Sequence, residues 1–134
     1  MTFRTHFLRP IAKAVLRLTG WKLRISPHET KQSVIVAYPH VSATDLYYTI
    51  LIGLALNLRL KIVAKEELFI FGAGWLLRAL GLIPIKRGGK LDTTTSLADM
   101  FDKKEENFHL VMAPTGTRKE GAQWRTGFLS VARK

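Results

Sequence analysis

Apolar and polar positions along this chain predict strands and helices in alternation. Short continuous apolar runs, typical of strands buried on both faces, are separated by longer stretches with helical spacing. The predicted strands are 34–37, 60–64, 82–85 and 108–112. The predicted helices are 1–20, 45–58, 66–80, 91–106 and one that begins at Phe128. This order predicts an α/β fold with a largely parallel sheet flanked by helices, and a single domain over residues 1–134.

The N-terminal helix, residues 1–20, is amphipathic and basic. Its apolar positions recur at helical spacing and are Phe3, Phe7, Ile11, Val15 and Leu18. Arginines and lysines are interspersed among them, and Gly20 ends the pattern, as glycine commonly does. Two interpretations remain open. The helix lies in the plane of an anionic membrane surface, or it covers the core and exposes its charges to solvent.

The charge of this chain says more about its possible partners than its length does. The chain carries 21 lysines and arginines against 10 acidic residues, a formal net charge of +11. This imbalance predicts an anionic partner, namely a nucleic acid, an anionic bilayer or a phosphorylated substrate. Cysteine is absent, which excludes disulfides, thiolate metal sites and a cysteine nucleophile. The longest apolar run, 46–58, falls short of the roughly 20 residues that a membrane-spanning helix needs.

A histidine and an aspartate stand where the first strand meets the next helix. With His40 on the loop and Asp45 on the first helical turn, Asp45 accepts the Nδ1–H of His40, and Nε2 is left to take a proton from a hydroxyl. This is the oriented base of a catalytic triad without an evident serine or cysteine nucleophile, so the substrate would bring the hydroxyl. In the alternative interpretation, Ser42 and Asp45 form a capping box and His40 is a polar residue at a strand end.

Basic residues follow two more of the predicted strands. Arg87 follows the third strand, and Arg118, in a Gly-Thr-Arg turn, follows the fourth. Parallel sheets bind ligands at the carboxyl ends of their strands. A guanidinium group suits a phosphate monoester, and the N–H groups of Gly116 and Thr117 would add donors. Singly, each arginine is commonly a surface residue; with His40 they predict a site for an anionic substrate that carries a hydroxyl.

Three blocks of sequence resemble the glycerolipid acyltransferases, typified by 1-acylglycerol-3-phosphate acyltransferase. In chain order they are His40-x4-Asp45, Gly81-Leu-Ile-Pro-Ile-Lys-Arg87 and Pro114-Thr-Gly-Thr-Arg118. The stretch Gln123-Trp-Arg-Thr-Gly-Phe128 resembles the Trp-Lys-x-Gly-Phe stretch of a bacterial branch. The resemblance covers nearly the whole chain.

This resemblance implies both a reaction and a set of site residues. His40, oriented by Asp45, deprotonates the acceptor hydroxyl, which attacks the thioester of acyl-CoA or acyl carrier protein without an acyl-enzyme. The acceptor is a phosphorylated glycerolipid such as lysophosphatidic acid. The residues implied to bind it are Arg87, Thr115, Gly116, Thr117 and Arg118. No cofactor beyond the acyl donor is implied. No metal site is expected, because the four histidines lack ligand spacing.

The implied location is peripheral, on the cytoplasmic face of an anionic membrane, and no nucleic-acid partner is expected. Two alternatives stay open at this point. One is a basic nucleic-acid-binding module, suggested by the charge of +11. The other is a catalytically inactive relative that binds the membrane surface.

Two features depart from the family pattern. Thr115 stands where the third block usually carries glutamate, and we expect this change to weaken acceptor binding or alter its identity. Family members also continue with a further strand and helix. We therefore expect that the C-terminal part of the family domain is missing after Lys134, and that stability and activity are reduced.

Overall fold

A computed structural model describes residues 3–24, 30–38, 44–70, 72–85, 90–102, 107–115, 119 and 121–133. The strands are β1 (Gln32–Val36), β2 (Leu60–Lys65), β3 (Leu82–Ile85) and β4 (Phe108–Met112). The α-helices are α1 (Phe3–Leu18), α2 (Thr44–Leu56), α3 (Gly74–Ala79), α4 (Lys90–Asp99) and α5 (Gly127–Ala132). Short 3-10 helices cover Glu66–Phe69 and Met100–Asp102.

The four strands form one parallel sheet in the order β1-β4-β2-β3. This confirms the predicted α/β fold with a parallel sheet flanked by helices. All four strands point the same way, so the sheet has two unlike edges. The carboxyl edge is the end at which the strands finish, at Val36, Lys65, Ile85 and Met112. The amino edge is the end at which they start, at Gln32, Leu60, Leu82 and Phe108.

Helices cover both faces of the sheet. On one face, Leu46 and Ile50 of α2 pack with Ile62 and Val111 of the sheet, and α3 joins the same cluster. The residues that form the opposite cluster are Leu97 of α4, Val131 of α5, and Phe108 and Leu110 of β4. Alternate residues of β4 thus belong to different cores, as the two-residue repeat of a strand requires.

The N-terminal helix packs antiparallel on α2. Ala12 and Leu16 of α1 are buried against Leu51 and Ala55 of α2. Near the middle of α1, Nε of Arg9 donates to the carbonyl of Ala55, 3.2 Å away. Beyond the end of α1, the rings of Trp21 and Tyr48 lie 4.8 Å apart. This helix therefore covers the core with one of its sides, as one of the two interpretations required.

The end of α1 is the one that the sequence predicts. Trp21 donates its N–H to the carbonyl of Leu16 (2.9 Å), and Gly20 donates to Arg17 (3.1 Å). Such a pair of bonds closes a helix and satisfies carbonyls that would otherwise lack partners.

One predicted helix is wrong. Residues 66–80 form the 3-10 turn Glu66–Phe69 and then, after a break, α3 (Gly74–Ala79). Gly72 has a φ of +63°, which a helix does not contain. A Cβ atom on Gly74 would lie 2.6 Å from the carbonyl oxygen of Phe69, so the chain turns too tightly there for a continuous helix. The predicted helix 91–106 is α-helical as far as Asp99 and continues as a 3-10 helix over Met100–Asp102; residues 103–106 lie outside the described residues.

Candidate active site

Helix ends meet the strand ends at the carboxyl edge. The last turns of α2 reach the amino edge, because a Cβ on Gly53 would lie 2.5 Å from the Leu60 side chain. Helix α3 also ends at the amino edge, since the carbonyl of Gly81, which follows α3, accepts the N–H of Ile62 at 2.8 Å. Both helices therefore begin at the carboxyl edge. Helix α1 runs antiparallel to α2 and therefore ends at the carboxyl edge. Loops and first helical turns thus lie around the strand ends at this edge.

Asp45 lies on the first turn of α2, at the carboxyl edge, as the first block predicts. Its side chain is half-buried, and its backbone carbonyl accepts a 2.7 Å hydrogen bond from the hydroxyl of Thr49. The first turn of a helix favours negative charge, because its unpaired N–H groups point toward it. His40 and Ser42 lie outside the described residues. The proposed contact of His40 with Asp45 stays a prediction, as does the capping box.

Thr115 lies in the turn that follows β4 and is 6% exposed. The neighbouring Pro114 is also buried, and its carbonyl accepts the N–H of Arg125 at 2.8 Å. This bond ties the third block to the segment before α5. A carboxylate at position 115 would lose most of its water, so it would need a charged or hydrogen-bonding partner. Gly116, Thr117 and Arg118 lie outside the described residues.

The strand order sets the distances between the three blocks. The first and third blocks follow β1 and β4, which are neighbours in the sheet. The second block contains β3, and its basic end follows that strand, which is three strand spacings from β1, or about 14 Å. Arg87 itself lies outside the described residues. The sequence predicts that all three blocks lie at one edge of the sheet. It does not predict that β3, in the second block, and β1, before the first, are at opposite ends of the strand order.

An aromatic cluster at the carboxyl edge was not singled out from the sequence. Tyr38 follows β1, and its ring lies 5.1 Å from that of Trp124, in the segment tied to Pro114. Trp124 in turn lies 6.0 Å from Phe128 of α5 in an edge-to-face arrangement. In the sequence, the stretch Gln123–Phe128 is identified only by its resemblance to a bacterial branch of the family. Tyr38 lies two residues before His40, and this closeness is the sequence signal that points to the cluster.

The amino edge carries a different kind of polar pair. His109 of β4 is buried, and its Nδ1 lies 2.7 Å from the hydroxyl oxygen of Ser33 on the neighbouring strand. This arrangement is that of a packed histidine with a polar partner, at the end of the sheet away from Asp45. Within the described part of the chain, no three histidine, aspartate or glutamate side chains are grouped to hold a metal ion. No helix in that part is both long and apolar enough to cross a bilayer.

Comparison with known proteins places the chain in a family. No curated protein and no solved structure gave a match. The sequence model of the family described as acyltransferase matches residues 11–134, which include all three blocks. The chain therefore belongs to the acyltransferase family.

Proposed function

We propose that this acyltransferase moves a fatty acyl group from acyl-CoA or acyl carrier protein to the hydroxyl of a phosphorylated glycerolipid such as lysophosphatidic acid. The observation that carries the proposal is the position of Asp45 on the first turn of α2, the helix that comes after β1 in the chain. Strand β1 pairs with β4, which precedes the third block. Family membership over residues 11–134 supports an acyl-transfer reaction. The blocks of the sequence support a glycerolipid acceptor.

The proposed chemistry needs one base and no acyl-enzyme. His40, held by Asp45, takes the proton of the acceptor hydroxyl as its oxygen attacks the thioester carbonyl. The new C–O bond forms, the C–S bond breaks, and the proton passes from His40 to the departing thiolate. Asp45 orients the imidazole and stabilises its charged form during the reaction.

Phosphate recognition is assigned to the two arginines of the second and third blocks. Arg118, supported by the N–H groups of Gly116 and Thr117, follows the strand next to β1. Arg87 follows β3, which is two strands from β4 in the sheet. Two guanidinium groups suit a dianionic phosphate better than a neutral hydroxyl group.

A peripheral position on an anionic membrane, at its cytoplasmic face, completes the proposal. The net charge of +11 favours an anionic surface. Helix α1 buries Ala12 and Leu16 on α2, yet it exposes Phe7, Ile11 and Leu18, and Leu18 is 87% exposed. These three residues lie on one side of the helix, away from α2. Of these three side chains, that of Leu18, at the C-terminal end of α1, is the most exposed.

Acyl transfer to lysophosphatidic acid tests the proposed base. We expect His40→Ala and Asp45→Asn to lower turnover of labelled acyl-CoA by about 10²–10⁴-fold and by a smaller factor, respectively. His109→Gln is the matched control, because it removes a histidine from the amino edge; its turnover per folded molecule should stay near that of the unmodified chain. Equal turnover in all variants would remove His40 as the base. Vesicle binding without any transfer, in the unmodified chain too, would favour the inactive relative, the alternative that Thr115 suggests.

A choice of acceptors tests the arginines. Arg118→Ala and Arg87→Ala should raise KM for lysophosphatidic acid while leaving KM for monoacylglycerol, which has no phosphate, nearly unchanged. Equal rises for both acceptors would mean that the arginines do not bind the phosphate.

A further inference from the structure

Tryptophan and tyrosine are distributed unevenly over this molecule. All three tryptophans and all three tyrosines of the chain belong to segments at the carboxyl edge. Five of these six side chains are exposed, namely Trp21, Tyr38, Tyr47, Trp75 and Trp124. By contrast, Phe101 and Phe108 at the amino edge face each other inside the core, with ring centroids 4.8 Å apart.

Independent elements bring these aromatic residues to the same edge. Trp21 follows the end of α1, and Tyr47 belongs to the start of α2. Tyr38 follows β1 and contacts Trp124, which precedes α5. Trp75 lies at the start of α3 and is 72% exposed, and Ile70, which precedes α3 in sequence, is also exposed. The exposed rings thus surround the strand ends instead of forming one patch on one helix.

Basic side chains accompany the aromatic ones. Arg17 of the last turn of α1, Lys65 at the end of β2, and Lys119 and Arg125 before α5 are all exposed. Trp and Tyr favour the headgroup region of a bilayer, where the ring is apolar and its N–H or O–H meets water. Lysine and arginine close to such rings add attraction to anionic lipids.

We propose that the carboxyl edge is the membrane-docking surface, and that it sits on an anionic bilayer with its tryptophans and tyrosines at headgroup level. In this orientation α1 stands on its C-terminal end, with Leu18 and Trp21 in the interface. Phe7 lies about 16 Å farther along the helix, away from the lipid. The alternative orientation, in which α1 lies flat, would immerse Phe7 and Ile11 instead. This inference rests on the proposed function, because docking by the carboxyl edge lets a lipid acceptor reach the site without leaving the bilayer.

The native tryptophans allow a direct test of this orientation. Three single-tryptophan proteins are made by Trp→Phe substitution of the other two, and a fourth carries Phe7→Trp with all three native tryptophans changed to Phe. Each is added to vesicles of phosphatidylglycerol and bromine-labelled phosphatidylcholine. We expect a blue shift and loss of emission from Trp21, Trp75 and Trp124, but not from the tryptophan at position 7.

Two outcomes would overturn the proposal. One is quenching at position 7 while Trp75 and Trp124 stay unquenched, which is the result expected for a flat α1. The other is a lack of binding to these vesicles.

A second measurement is partition into unlabelled vesicles of phosphatidylglycerol and phosphatidylcholine. Trp75→Ala combined with Trp124→Ala should weaken it by roughly tenfold, and Phe7→Ala by less than roughly twofold. Equal losses would also refute the edge-on orientation.

The measurement is independent of catalysis. His40→Ala should bind vesicles as the unmodified chain does, so a failed acyl-transfer assay and a failed docking surface give different results. Binding by the carboxyl edge without acyl transfer would leave the docking inference standing and reject the proposed reaction.

Discussion

The two edges of the sheet use the same residue types for different purposes. At the amino edge, Phe108 is fully buried, and His109 is buried beside Ser33. At the carboxyl edge, aromatic side chains such as Tyr38 and Trp75 are exposed, and Asp45 stands on a helical turn among loops. The comparison indicates that such side chains pack inside the fold at the amino edge and are exposed at the carboxyl edge, where the proposed function places the ligands. Residue type alone therefore says little until its edge is known.

Aromatic residues at the two edges should differ most in their effect on stability. Phe108→Ala should lower the free energy of unfolding by about 3–5 kcal/mol, because it empties a packed site. Trp75→Ala, at an exposed position, should change it by less than about 0.5 kcal/mol. Urea unfolding monitored by circular dichroism measures both. Similar losses would abolish the distinction between the edges.

A glycine at the amino edge provides the next test. Gly81 has a φ of +95°, and a Cβ there would collide with the carbonyl oxygen of Leu60. Gly81→Ala should cost about 1–2 kcal/mol for the backbone conformation and roughly 1–3 kcal/mol more for the displaced strand. Gly121→Ala is the control, because Gly121 has a φ of +73° but no atom within 4 Å of the added Cβ. Equal costs in urea unfolding would show that the contact with β2 does not matter.

The Ser33–His109 pair should affect stability and leave the reaction alone. Ser33→Ala removes a partner of a buried histidine and should lower the free energy of unfolding by about 1–3 kcal/mol. Thr19→Ala also removes a hydroxyl, one that bonds to backbone carbonyls at the exposed end of α1, and should cost less. Both variants should retain acyl transfer per folded molecule. A selective loss of transfer in Ser33→Ala would assign the amino edge a part in the chemistry.

The smallest expected change concerns the departure from the family pattern at the carboxyl edge. Thr115→Glu should raise transfer to lysophosphatidic acid by roughly threefold to tenfold, since the cost of burying the carboxylate offsets part of the hydrogen bonding to it. Thr115→Gln, of similar size but uncharged, should not. No change in either variant would mean that position 115 is dispensable for acceptor binding, and a gain in both would point to side-chain size instead of charge.

Much of the fold follows from the sequence because buried parallel strands leave a simple pattern. The runs 82–85 and 108–112 match β3 and β4 because, apart from His109, both are apolar, and each begins after a glycine or a polar residue. The helix predicted over 66–80 failed for the opposite reason. Apolar spacing continues through Gly72 and Gly74, but the backbone turns there. Periodicity records which residues are apolar and does not record the local dihedral angles that break a helix.

The candidate site was predictable to a lesser degree. The position of Asp45 on the first turn of α2 could be predicted, because the boundary between strand and helix is visible in the apolar pattern. The order of the strands is not visible there, since pairing depends on contacts between distant segments. For that reason the separation between the second block and the first emerged only from the sheet. The pairing of Tyr38 with Trp124 was hidden for the same reason.

The central position of β4 has a consequence for how the chain reaches its native state. β1 and β2 do not pair with each other; both pair with β4, which is the last of the four strands along the chain. During synthesis from the N-terminus, β2 and β3 can meet early, while β1 must wait for β4 to leave the ribosome. Such late, long-range closure slows folding and leaves the backbone of β1 without its strand partner in the meantime.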